Sequence, residues 1–311
     1  MKEYIQTNRV VEFNEIARFA SSLESEVVKE KPIYKLINGV CDSRYPVKDT
    51  LCYVESDPSS SMRNTLSTCC IVTHPKFAAE FPNCSLVLTD DPRALFIDIL
   101  NWIDGTIGFR CFVSIIECSP MIHSEAEVHS SAILEEGVYV GAGSVISAGC
   151  VIKRGTCIQS NVFVRENTVI GCDGIALYKT KKGRVLRFPH LASVLIENGV
   201  EIGANCVIPR GVLRSSRIGE DSVIGNLTNI GHTVNVGKKV WMSVGCLVGG
   251  NSVIGDNVSF GLGTCIKDNL IIGKDCSVGM GSVVTKSLND GVSVFGNPAT
   301  PVRLLKSGPN R

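Results

Sequence analysis

A mainly β fold, a triangular coil of parallel strands behind a small α/β domain, is predicted by three observations. Aliphatic side chains recur every sixth residue, small residues keep a fixed offset from them, and the beat is missing from the N-terminal part. The first run is Ile122, Val128, Leu134, Val140, Ile146, Ile152, Ile158, Val164 and Ile170. The second passes through Ile218, Ile224, Ile230, Val236, Met242, Val248, Ile254, Phe260, Ile266, Ile272, Val278 and Val284, with glycine following nine of these twelve. A period of six fits neither a helix of 3.6 residues per turn nor a heptad, and internal repetition takes precedence over local propensity. In a triangular coil each hexad gives one short strand and one corner, so three hexads close a turn of eighteen residues. The glycine is expected to free the corner from steric constraint.

Each element follows from this frame. Four residues after an aliphatic stand Ser222, Thr228, Val234, Val240, Cys246, Ser252, Val258, Thr264, Cys276 and Ser282, all small or β-branched. Successive Cβ atoms of a strand face opposite ways, so a second inward position beside the aliphatic one explains the pairing. Cys150, Cys206, Cys246 and Cys276 take that inward place as compact hydrophobes. The beat breaks at residues 172–193, which hold the basic segment Lys179 to Arg187, and this stretch is expected to leave the prism as a solvated hairpin rather than a phosphate site. Hexads at Ile196, Ile202 and Ile208 restore it, and a longer step to Ile218 implies one enlarged corner at Pro209 to Ser216. The hexads make about eight coils.

Before residue 119 the pattern is mixed. Val11, Phe13, Ile16, Phe19 and Leu23 have helical spacing, Thr68 to Thr73 and Ser85 to Thr89 read as strands, and Pro92 to Ile103 as an amphipathic helix. Strands alternating with helices make residues 1–118 an α/β module, 119–288 the coil and 289–311 a C-terminal tail.

Composition excludes several function classes. A net charge of +1 over 311 residues offers no electrostatic footprint for nucleic acid. No apolar run is long enough to span a membrane and the N-terminus lacks a signal-peptide pattern, so a soluble cytoplasmic chain is expected. Fourteen cysteines without C-x-x-C or an export signal do not form a disulfide framework. No Walker A sequence, G-x-S-x-G elbow, H-E-x-x-H or clustered metal ligands occur, and neither a metal nor a permanently bound cofactor is expected.

An aliphatic-filled prism has no internal pocket, so chemistry must lie outside. Of five histidines, His123 and His129 fall in the first coils, His74 and His190 sit beside proline, and His232 lies midway along the prism. A neutral imidazole held at a corner can accept a proton near physiological pH, although a lone histidine is more often structural. Eighteen residues after His232 stands Gly250, beside Gly249, so a backbone N–H able to stabilise an oxyanion should lie one coil further along the same edge.

The chain resembles the UDP-3-O-acylglucosamine N-acyltransferases, a hexapeptide-repeat family with a left-handed parallel β-helix. The residues that carry this are Asp173-Gly174, Phe188-Pro189, Val200 to Asn205 through Arg210-Gly211, Ile230-Gly231-His232, Asp49 to Ser56 and Thr89 to Phe96. The resemblance implies that residues 1–118 bind a nucleotide sugar, with Tyr53 stacking on the base and Ser56 where the family usually has Asn. It implies that His232 takes a proton as a sugar amine attacks a thioester, while the Gly250 N–H binds the oxyanion. Asn269 falls where the family has a second histidine, and an amide can hydrogen-bond but cannot shuttle protons.

Gly296-Asn297-Pro298-Ala299-Thr300-Pro301-Val302-Arg303 looks instead like the ending of coenzyme A-dependent hexapeptide acetyltransferases, and the family's helical arm for an acyl-carrier protein is not in this sequence. The expectation is an acyl-CoA co-substrate, a nucleotide-linked amino sugar acceptor for surface polysaccharide or lipopolysaccharide, and a homotrimer. The alternatives are the acyl-carrier-protein-dependent lipid A reaction and a non-catalytic trimeric scaffold.

Overall fold

Two-residue strands at the end of each hexad turn the beat into structure. In Val145–Ile146, Val151–Ile152 and Cys157–Ile158 the first side chain is half-exposed and the second buried. Each pairs in parallel with a strand one coil on, as Val145 does with Phe163 and Ile146 with Val164. The strands stack into three sheets, two parallel with eight members each, one per coil, and a third with ten that is parallel except for Thr300–Pro301, which pairs antiparallel with Ser293–Phe295. The structure, a computed structural model, describes residues 4–23, 36–110 and 119–301.

The predicted inward positions are filled as expected: Ser222, Thr228, Val234, Cys246, Ser252, Thr264, Cys276 and Ser282 are all buried. Their hydroxyls stay satisfied by bridging coils. Ser222 Oγ donates to the Gly237 carbonyl at 3.0 Å and accepts from the Val240 N–H at 3.0 Å. Ser144 does the same with Gln159 at 2.7 Å and Val162 at 3.0 Å. An unpaired buried hydroxyl would cost about 1–3 kcal/mol, so this pairing is what lets serine sit in an aliphatic core.

The corner glycines have a different reason from the expected one. The left-handed residue of each corner in the second run lies three after the aliphatic: Asp221, Leu227, Thr233, Lys239, Asn251, Asn257, Asn269 and Asp275 with φ between 54° and 60°, and Gly245, Gly263 and Gly281 with φ of 65° to 72°. The glycine directly after the aliphatic in that run is not left-handed. It supplies clearance: a methyl on Gly219 would lie 2.4 Å from the Gly237 carbonyl oxygen, and one on Gly255 2.5 Å from the Lys274 nitrogen. The coil also runs past its expected end at residue 288, because Val294, buried, pairs in parallel with Val278.

The other unit is built on a five-stranded sheet of β1 (Ile5–Glu12), β2 (Leu36–Val40), β3 (Thr50–Val54), β4 (Cys70–Thr73) and β5 (Ser85–Leu88), in that order. β1 runs antiparallel to β2 and the remaining neighbours are parallel. Among the described residues three α-helices accompany it: α1 (Phe13–Ser22), α2 (Ser60–Thr65) and α3 (Pro92–Thr106). Val11, expected in the first helix, ends β1 instead, and a capping box of Glu12 and Glu15 starts α1. α3 begins at Asp91, whose carboxylate accepts the Ala94 N–H at 3.1 Å, and buries Leu95, Phe96, Ile99, Leu100 and Ile103.

Both breaks in the beat feed this unit. Residues Leu177–Lys179 and Val185–Arg187 do form an antiparallel hairpin, but the excursion is not simply solvated. Phe188, Leu191 and Ala192 pack into the core of the first unit, as does Leu213 from the second break, so Ile175–Ala192 and Gly211–Ser215 belong with the N-terminal residues. The expected boundary at residues 118/119 adjoins residues outside the described ones. Among the described residues no helix is long and apolar enough to cross a membrane.

Candidate active site

The residue two after each aliphatic stands at a corner, and residues eighteen apart stack there into columns. One column holds Glu220, Lys238, Asp256 and Lys274 and is closed on itself. Lys238 Nζ pairs with Glu220 at 2.8 Å, and the Lys238 N–H donates to Asp256 Oδ1 at 2.7 Å. A second carries Val244, Leu262 and Met280, all exposed. The third holds His232, Gly250 and Asp268, so counting in eighteens places the two expected residues side by side.

His232 is half-buried and its ring lies against Gly250, where an added methyl would come within 2.7 Å of Nε2 and 2.9 Å of Cε1. That explains the extra glycine, since the imidazole fills the place a side chain would take. The corner backbone is fixed by the Asn251 N–H on the His232 carbonyl and the Asn269 N–H on the Gly250 carbonyl, both 2.9 Å. At the sibling positions Ser160, Ala204, Lys238 and Lys274 the amide donates to an Asn or Asp oxygen. Among the described residues the Gly250 N–H has no such acceptor, and Asp268, which stands where one would be, receives the Asn269 side-chain amide.

Burial pushes the His232 imidazole below its ordinary value, opposed by the Asp268 charge. The ring is therefore neutral at physiological pH, the form that accepts a proton. Next to it Thr233, a buried β-branched residue, holds a left-handed φ of 59°, a conformation costing about 1–2 kcal/mol outside glycine. Its N–H donates to Ser216 Oγ at 3.0 Å, and its Oγ1 lies 3.5 Å from His232 Nδ1. The same φ recurs at ordinary corners such as Leu227 and Lys239, so it belongs to the coil; what Thr233 adds is a β-branched side chain in that conformation. Asn269 is exposed, with φ of 60°, and its side-chain amide donates to Asp268, whose charge acts on His232.

Tyr53 and Ser56 lie at the end of β3 in the other unit. The half-buried Tyr53 ring is 4.9 Å from that of Phe96 and 6.3 Å from that of Phe188, and Ser56 is exposed. Beside them is a group sequence reasoning missed. Arg93 pairs with Glu55 at 2.7 Å and lies over the Tyr178 ring at 5.1 Å. The Tyr178 hydroxyl donates to Asp91 Oδ1 at 2.9 Å, and burial together with that bond pushes the phenol up to about 12. Tyr178 comes from the excursion, whose folding into this unit no local signal announced.

The expectation of no clustered metal ligands is corrected in the same unit. Cys41, Cys52 and Cys69, each buried, place their Sγ atoms within 4.8 Å of one another. Neighbouring parallel strands unite cysteines that no C-x-x-C spacing joins.

No family model matches the chain. Among curated proteins it is 33% identical over 139 residues to "Probable UDP-3-O-acylglucosamine N-acyltransferase 2, mitochondrial" of Arabidopsis thaliana, covering 45% of this chain and 46% of the relative. It is 47% identical over 72 residues to UDP-3-O-acylglucosamine N-acyltransferase 1 of Legionella pneumophila strain Paris, 23% of this chain and 20% of that one. The UDP-3-O-acylglucosamine N-acyltransferase of Maricaulis maris is 44% identical over 75 residues, 24% of this chain and 22% of the relative. The matches thus span from about a fifth to just under half of these relatives. Among solved structures, the UDP-N-acetylglucosamine acyltransferase of Francisella novicida matches at 21% identity with a TM-score of 0.49, covering 59% of this chain and 68% of that one. In sequence, the chain is similar to the UDP-3-O-acylglucosamine N-acyltransferases, an acyltransferase family of hexapeptide-repeat type.

Proposed function

We propose that the protein is an N-acyltransferase that moves an acyl group from acyl-CoA to the amine of a nucleotide-activated amino sugar. The observation that carries this reading is the His232 ring against Gly250, whose N–H lacks an acceptor among the described residues. The amine attacks the thioester carbonyl and the tetrahedral intermediate's oxyanion is held by the Gly250 N–H. His232 takes the proton lost by the attacking nitrogen and returns it to the departing thiolate, so amide and free thiol form with no net proton change. Asp268, held by Asn269, stabilises the transient imidazolium. Tyr53 and Ser56, beside Phe96 and Arg93, contact the nucleotide.

A second reading keeps an acyl carrier protein as donor and takes UDP-3-O-acylglucosamine, the compound in the names of the relatives, as acceptor. The exposed column of Val244, Leu262 and Met280 supports assembly of the coils as a homotrimer. The protein is read as cytoplasmic. One assay tests the whole reading: purified protein, a panel of nucleotide amino sugars, and acyl-CoA or acyl carrier protein as donor. Turnover with CoA thioesters supports the first donor and turnover with the carrier protein alone the second. No turnover on either arm, from a chain that binds the nucleotide sugar, leaves the non-catalytic scaffold.

A further inference from the structure

The sheet unit contains a set of donor atoms that the acyl-transfer reading does not use. Cys41 directly follows β2, Cys52 lies in β3 and Cys69 directly precedes β4, and all three are 0% exposed. Thr50 Oγ1 stands 3.0 Å from Cys41 Sγ and 3.9 Å from Cys69 Sγ. The hydroxyl can donate to Cys41 Sγ or to the Val47 carbonyl at 2.6 Å, and with its proton on Val47 the oxygen is able to face a cation. We propose that Cys41, Cys52, Cys69 and Thr50 form a buried structural site for a thiophilic divalent cation of the zinc class.

Geometry, chemistry and position support the assignment. A cation 2.3 Å from three sulfurs needs them about 3.8–4 Å apart, within the spread of 4.8 Å that already holds, so side-chain rotation completes the site. Three thiolates and one oxygen make a four-coordinate set with no open position for substrate, as in a structural centre. Cysteine binds such a cation as the thiolate, so filling the site deprotonates the thiols. Binding releases their protons to solvent, and because the sulfurs are inaccessible the site fills as the sheet folds. The three ligands come from neighbouring segments of one parallel sheet, so the cation would tie β2, β3 and β4 together.

The test uses the full chain. Protein produced with zinc in the medium should carry about one equivalent by elemental mass spectrometry. Refolding with Cd2+ should give the ultraviolet thiolate-to-cadmium charge-transfer band, and unfolding should occur at higher temperature with metal than after chelation. Cys52→Ala should lose the metal and the band, whereas Cys84→Ala, altered in the same apolar cluster but outside the trio, should keep both. If Cys52→Ala does not fold, alkylation of the wild-type chain in mild denaturant decides. Cys41, Cys52 and Cys69 should be protected by zinc and released by chelator, with Cys84 unchanged. Sub-stoichiometric metal with no cadmium band, or equal loss in the Cys84 variant, overturns the site and leaves three packed thiols.

Discussion

Two corners of the same prism show how a repeat becomes a site. In the Glu220–Lys238–Asp256 column Lys238 pairs with Glu220 across coils and its amide donates to Asp256. In the His232–Gly250–Asp268 column the corresponding amide has no acceptor among the described residues, and an imidazole lies over the vacant side-chain position. The backbone path is the same. The difference is that a charged corner spends its hydrogen-bonding capacity internally, whereas a glycine at one corner leaves a donor and a base side by side.

Exchanging features between these corners gives the predictions. His232→Ala should lower kcat/KM by roughly 10² to 10⁴ while circular dichroism and melting stay near wild type, and Lys238→Ala should leave the rate unchanged. A wild-type rate from His232→Ala would remove the base assignment. Gly250→Ala puts a methyl 2.7 Å from Nε2 and should cost roughly 10² in kcat, through a displaced ring and an obstructed amide. The same substitution at Gly219 should instead reduce stability by about 1–3 kcal/mol, read as a lower denaturation midpoint, because its clash is with backbone of the next coil.

The smaller effects concern tuning. Since His232 must be neutral to act and burial depresses it, the acidic limb of kcat/KM should fall below the ordinary histidine value of 6.5. Asp268→Asn removes the group that raises it and should move that limb lower still; a shift upward would contradict the assigned field. Thr233→Gly should relieve a left-handed β-branched residue and gain up to about 1 kcal/mol in chemical denaturation, with kcat falling if that strain positions the ring.

The coil was legible because a hexad repeats one physical demand many times: Ile218, Ile224 and Ile230 each fill one wall, and Ser222 and Thr228 show the space beside them. Counting alone brought His232 to Gly250. What escaped was set by a single event rather than a repeat. Tyr178 and Phe188 join the other unit through one excursion, and Cys41, Cys52 and Cys69 meet through one strand order. β2 and β3 are short buried runs with no period of their own to announce them. The glycines were found at the right positions for the wrong reason, because sequence shows where a side chain is missing but not whether φ or a neighbouring coil forbids it.

The bridging hydroxyls inside the prism carry a consequence for how such a chain can change length. Ser222 and Ser144 each bond to a carbonyl fifteen residues on and an amide eighteen residues on. A single inserted residue within a strand would break every such clasp across that coil, whereas a whole added coil restores all of them. The chain has therefore two permitted edits, a complete turn or a detour that leaves and re-enters at a corner. The detours begun after Gly174 and Arg210 are of the second kind, and they lend their residues to the neighbouring unit without altering the count of the coil.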